Sequence, residues 1–318
     1  MDGVAPFSGA LPYFQRVRLA DDTLPTDPAS RGALSPGRAT VLFCWELGGG
    51  LGHLMQMLPL AEDLVKAGHR VYVALRDLDR AGALYASAGV SFLQAPIWLS
   101  GAVQFARPAT YAQVLANCGF GSNAALFARA CAWRNLINMV APDLVVFDHA
   151  PTALLASRAL SKPPRRALIG SGFCSPPDEP VAGEPWAVVR ADEARDIGFD
   201  RLREDDAAVL ARCNWVLGKW GQPPLERLGQ LYSEVDENFL TTFPELDHFP
   251  DRRGAGYWGP VVAAAPGGEP PHWPDAPGAS RVRLPQGRRR GRGGAGGPGR
   301  SVRCYRRVRR GRGGRDAA

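Results

Sequence analysis

The stretch "ATVLFCWELGGGLGHLMQMLPLAEDLVKAGHRVYVAL" (residues 39–75) changes its hydrophobic period twice, and few folds accommodate that change. "ATVLFCW" (39–45) is a short apolar run with β-branched and aromatic residues, which predicts a strand buried on both faces. Beyond the glycines, Leu54, Met57, Leu58, Ala61, Leu64 and Val65 recur at the spacing of one helical face. Gly68 in "KAGH" supplies the helix C-cap, "RVYVAL" (70–75) the next strand, and "LDRAGALYASAG" a second helix ended by Gly89. Strand, helix, strand, helix at this spacing predicts βαβ units in a parallel sheet.

Farther along, the pattern loosens through "LQAPIWLSGAVQFARPAT" (93–110) and resumes with a helix over 122–140. "PDLVVFD" (142–148) reads as the fourth strand, and "PTALLASRAL" as a helix with proline in its first turn. "RRALIG" (165–170) reads as the fifth strand, 184–232 as mostly helical, and "ENFLTTF" (237–243) as a sixth strand. The expected organisation is an irregular extension over 1–37, a Rossmann-like domain over 38–245, a Pro/Gly-rich linker over 246–280 and an Arg/Gly-rich disordered tail over 281–318. The expected fold class is α/β, a doubly wound parallel sheet with that basic tail.

Charge matters only once it is divided along the chain. The whole carries +7, yet residues 281–318 hold fourteen arginines and a single acid, Asp316, so the rest is mildly acidic. Six scattered cysteines with no C-x-x-C pair argue against a zinc site or a disulfide scaffold. They fit reduced thiols in the cytoplasm, the compartment expected here. No apolar run is long enough to span a membrane, and the N-terminus lacks the pattern of a secretory signal.

Glycines between a first strand and a helix put backbone N–H groups where anions bind. The dinucleotide fingerprint G-x-G-x-x-G fails here, because Gly48 and Gly50 are followed at the third position by His53. A Walker loop is absent as well. His53 falls on the first turn of the helix, where the positive end of the dipole disfavours a cation and suits a base. A plain helix-start role is the competing reading. Asp148 falls at the carboxyl end of the fourth strand. In a 3-2-1-4-5 sheet, strands one and four are neighbours whose outgoing loops line one crevice. There an aspartate can bond one imidazole nitrogen and leave the other to take a proton. An N-cap for the next helix is the bland alternative for Asp148.

"GGGLGHLMQMLPLAEDLVKAGHRVYVAL" together with "PDLVVFDHAPTALLASRAL" resembles the acceptor half of nucleotide-sugar glycosyltransferases of the two-domain GT-B fold, among them UDP-glycosyltransferases and macrolide glycosyltransferases. The resemblance spans about residues 38 to 262, where "YWGPV" (257–261) is similar to the family's entry into its second domain. Pro59 comes later after the histidine than is usual in the family. The resemblance implies a hexosyl transfer to an acceptor hydroxyl with inversion, His53 as general base and Asp148 as its orienting carboxylate. It implies a UDP- or dTDP-sugar as donor substrate, a small-molecule acceptor, and neither a metal nor a separate cofactor. Acceptor-binding positions are Gly50 and Gly52 in the loop, with Trp98, Phe105, Tyr111 and Phe120 as walls. The alternative for those aromatics is the core. His149 reads as a loop neighbour without a role.

Nothing after Val262 resembles the family's donor domain, so the expectation is a truncated chain, inactive alone. The tail's composition fits either a basic segment that binds nucleic acid and other polyanions or a frame slip in a GC-rich gene. Thirty-five arginines against three lysines point to GC-rich coding. Two other functions compete. An NAD(P)-dependent oxidoreductase would use Asp77, at the end of the second strand beside Arg76, to hold a ribose. A nucleic-acid-binding protein would work through residues 281–318.

Overall fold

A computed structural model describes residues 37–99, 103–178, 196–249, 252, 256–261, 281–282 and 302–303. The chain divides into two compact units, Met1–Ala263 and Ala264–Ala318. The first is built on β1 (Thr40–Trp45), β2 (Arg70–Leu75), β3 (Ser91–Gln94), β4 (Leu144–Asp148), β5 (Arg165–Gly170) and β6 (Glu237–Leu240). All six run parallel in the order β3-β2-β1-β4-β5-β6, the doubly wound order expected from the sequence. Every residue of β1 is buried, and its two-residue period feeds two cores. Val41, Phe43 and Trp45 enter one with α1 (Leu51–Lys66), while Leu42 and Cys44 enter the other.

Helix α1 buries Leu54, Met57, Leu58 and Ala61, the stripe read from the sequence. It ends in paired bonds from the Gly68 N–H to the Val65 carbonyl and from the His69 N–H to the Leu64 carbonyl. Next come the short α2 (Ala81–Tyr85) and α3 (Tyr111–Leu115). Then α4 (Asn123–Val140), N-capped by the Ser122 hydroxyl, and the wholly buried α5 (Pro151–Ser157) cover the second face. Helices α6 (Phe199–Lys219) and α7 (Gln230–Ser233) complete that layer through Val209, Cys213, Leu231 and Tyr232.

Several boundaries differ from the sequence expectation. No sequence signal singled out β3: it has four residues, mostly exposed, on the sheet edge. Pro142 and Asp143 precede β4 rather than joining it. The Asp143 carboxylate instead accepts from the Thr40 N–H and fastens the start of β1. The expected linker begins as part of the domain. Asp247 accepts from Arg252 Nε at 2.8 Å and from the Tyr257 hydroxyl at 2.7 Å, and Tyr257 bridges Leu240 of β6. In the second unit, β7 (Arg281–Val282) pairs antiparallel with β8 (Val302–Arg303). The expectations for 1–36, for 184–195, and for most of 262–318 lie outside the described residues.

Candidate active site

The register of β1 against β4 sets Trp45 beside Asp148, so the loops leaving both strands start at one level. One bond joins the two loops, and a second braces the first loop against β1. The Leu47 N–H donates to the His149 carbonyl at 2.9 Å, and the Trp45 indole N–H donates to the Leu47 carbonyl at 2.7 Å. The glycine loop then turns into α1 through Gly48 at φ 86° and Gly50 at φ 87°. His53, on the first turn, approaches Asp148 with Nδ1···Oδ2 at 2.9 Å. Its side chain keeps 18% of its surface, and that of Asp148 keeps 1%.

The electrostatics follow from that asymmetry. Burial raises the Asp148 carboxyl above its ordinary value, and the His53 bond works against the rise. Among the described residues Asp148 Oδ1 has no hydrogen-bond partner, and His53 supplies the one at Oδ2. An ionised Asp148 accepts from Nδ1–H and leaves the lone pair on Nε2. A Cβ at Gly48 would lie 2.6 Å from that Nε2. Only glycine therefore leaves the nitrogen's edge open, and the positive φ requires it a second time.

The sequence had treated His149 as a bystander. It adopts φ 49°, unusual for a side chain larger than glycine, and its ring stacks near His53 at 6.1 Å between centroids. The ring is buried, and burial with the nearby His53 and Arg76 charges pulls its pKa down to about 3. It is neutral at physiological pH. The Trp45 ring also stacks on His53, at 5.2 Å.

A second network, missed in the sequence, fixes the level of both loops from below. Glu46 is fully buried and accepts from the Thr152 N–H at 2.9 Å and from the Thr152 hydroxyl. Buried Arg129 of α4 lies 3.8 Å away and donates to the same hydroxyl. Burial raises the Glu46 carboxyl, and Arg129 opposes the rise. The only sequence signal was an acid standing directly between a buried strand and a glycine loop.

Among the other expected site residues, Gly50 and Gly52 are exposed on the loop and the first turn. Trp98 and Phe105 are half-buried, and the Arg129 guanidinium lies 5.5 Å over the Trp98 ring. Tyr111 and Phe120 do not line a cleft. Both are fully buried in the core beside α4, where apolar burial outweighs any pocket role. Asp77 is exposed and spends its carboxylate capping the Asp79 N–H. Among the described residues no cluster of three or more side chains could hold a metal ion, and no helix is long and apolar enough to cross a membrane.

No family model matches the chain, and no curated protein does. Solved structures do. The chain is similar to the glycotransferase of kitacinnamycin, with 16% identity, TM-score 0.47, and coverage of 76% of this chain and 56% of that one. It is similar to CalG4, the calicheamicin glycosyltransferase, with 18% identity, TM-score 0.47, and coverage of 76% and 55%. It is also similar to the glycosyltransferase SnogD from Streptomyces nogalater, with 19% identity, TM-score 0.39, and coverage of 76% and 57%. The chain thus spans little more than half the length of these structures.

Proposed function

We propose that residues 37–261 form the acceptor-binding half of a nucleotide-sugar glycosyltransferase, with His53 as general base and Asp148 as its orienting partner. One observation carries the reading: the 2.9 Å Nδ1···Oδ2 contact at the carboxyl ends of β1 and β4, with Nε2 left free. Parallel α/β sheets bind ligands in that crevice. The "GGGLGH" resemblance names the reaction that such a pair performs.

In this mechanism the acceptor hydroxyl points at His53 Nε2. Its oxygen forms a bond to the anomeric carbon as the bond from that carbon to the nucleoside diphosphate oxygen breaks. The hydroxyl proton passes to Nε2, and the diphosphate leaves with the electron pair. A single displacement inverts the anomeric centre. The imidazolium then faces the buried Asp148 carboxylate, an attraction made stronger by the low local dielectric. Neutral His149 and Trp45 stack near the ring without adding a competing charge. Trp98 and Phe105, half-exposed, are the remaining acceptor walls.

The described residues of 37–261 hold one doubly wound sheet, and this reading assigns the donor to a second domain. On this reading, residues 37–261 joined to a donor domain turn over a UDP- or dTDP-sugar. In the fused enzyme His53→Ala should reduce kcat by roughly 10²–10⁴-fold. Full activity in that variant would remove His53 from the chemistry.

A further inference from the structure

At the other end of the strands lies a cavity of about 380 Å³, lined among others by Arg158, Arg165, Arg166, Gln222, Pro223 and Asp236. Arg165 opens β5 on the amino edge of the sheet, whereas Asp148 closes β4 on the carboxyl edge. The cavity is therefore separate from the His53–Asp148 crevice. Its volume falls within the range of small-molecule sites, roughly 300–1,000 Å³.

Three guanidinium groups meet here, and among the described residues two carboxylates, of Glu234 and Asp236, answer them. Glu234 accepts from Arg158, and its carbonyl accepts from Arg166. Asp236 spends one oxygen on the Arg166 N–H at 2.7 Å, and its other oxygen lies 3.7 Å from Arg165. Arg165 keeps 74% of its side-chain surface, so its charge is the least compensated. The carbonyl end of α5, which closes at Arg158, adds about half a negative charge. Helix α6 ends nearby with its own Lys219 to offset its carbonyls. The sum leaves the cavity positive. Burial and the Arg158 cation both depress the Arg166 pKa, and the Asp236 and Glu234 carboxylates oppose the fall. Pro163, Pro164 and Pro223 supply an apolar rim, and Gln222 an amide.

We propose that this cavity is a second ligand site, taking a small phosphate-bearing molecule whose oxyanion bonds Arg165 and Arg158 and whose carbon body rests on the prolines. Guanidinium forks match phosphate oxygens in geometry and charge.

The test is calorimetric titration of the full chain with inorganic phosphate and with phenyl phosphate at fixed ionic strength. Wild type should bind both saturably, and Arg165→Gln should weaken binding roughly tenfold or more, as expected for losing a charged hydrogen bond. Arg80→Gln, an exposed arginine elsewhere, should bind as wild type does. Tighter binding of phenyl phosphate than of inorganic phosphate is the result expected, because its carbon body rests on the prolines; equal affinity would overturn that placement. Among the described residues the Arg165 side chain makes one long carboxylate contact, so its loss should leave thermal unfolding unchanged, which separates lost binding from lost fold. Unchanged affinity in Arg165→Gln, or equal loss in Arg80→Gln, would mean an adventitious ion only, or capture by arginines elsewhere, and would overturn the proposal. None of these readouts depends on glycosyl transfer.

Discussion

A single missing methyl group controls the exposed nitrogen of His53. The ring is reached from the side of Gly48, and a Cβ there would press on Nε2 at 2.6 Å while adopting φ 86°. Gly48→Ala should therefore cost about 1–2 kcal/mol for the left-handed backbone. It should also lower turnover of a donor-domain fusion nearly as far as His53→Ala does. Urea denaturation and initial rates measure the two effects separately, and wild-type rates in Gly48→Ala would contradict the steric account. The histidine and the aspartate were both legible in the sequence, because residue type and position relative to a strand end sufficed. His149 was not. Its importance lies in a backbone carbonyl that ties Leu47 and in a positive φ, and neither leaves a mark on composition or spacing.

Elements come next in scale, and the joints between them carry most of the precision. Glu46 and Arg129 link the end of β1 to α4 and, through Thr152, to the start of α5. Removing one partner of a buried pair leaves the other uncompensated, so Glu46→Ala should cost about 3–5 kcal/mol in urea denaturation. A loss under about 1 kcal/mol would show the network to be dispensable. Helix α6 offers a pH test. Burial, with Asp205 adding repulsion, raises the Asp206 pKa to about 7, while a hydrogen bond with the Thr110 side chain opposes the rise. The folded chain thus holds this proton more tightly than the unfolded one, whose value is about 4. Its contribution is full below about pH 4 and lost as pH rises through 7. Asp206→Asn mimics the protonated form, so its Tm should match wild type near pH 4 and exceed it increasingly towards pH 8. A constant Tm difference across that range would contradict the assignment. The strands with continuous apolar runs, β1, β2, β4 and β5, could be read from the sequence because both of their faces are buried. β3 could not, since a short edge strand with exposed side chains carries no period.

At the scale of the whole molecule, the sheet order turns local sequence into a site. Pairing β1 with β4 brings together residues ninety-five positions apart, and no local propensity encodes that proximity. It was inferable only through the rule that strands one and four adjoin in doubly wound sheets. Past residue 245 a set of contacts with no local sequence signature continues: Asp247, Arg252 and Tyr257 bond one another in a stretch whose prolines and glycines look like linker. The central claim concerns one ring, and the full chain suffices to test it without any donor domain. Nitrogen-15 NMR of labelled histidine reports which ring nitrogen of neutral His53 carries the hydrogen. The account predicts Nδ1–H with Nε2 bare in the wild type, and loss of that preference in Asp148→Asn. Finding Nε2–H in the wild type, or the same tautomer in both proteins, would contradict it.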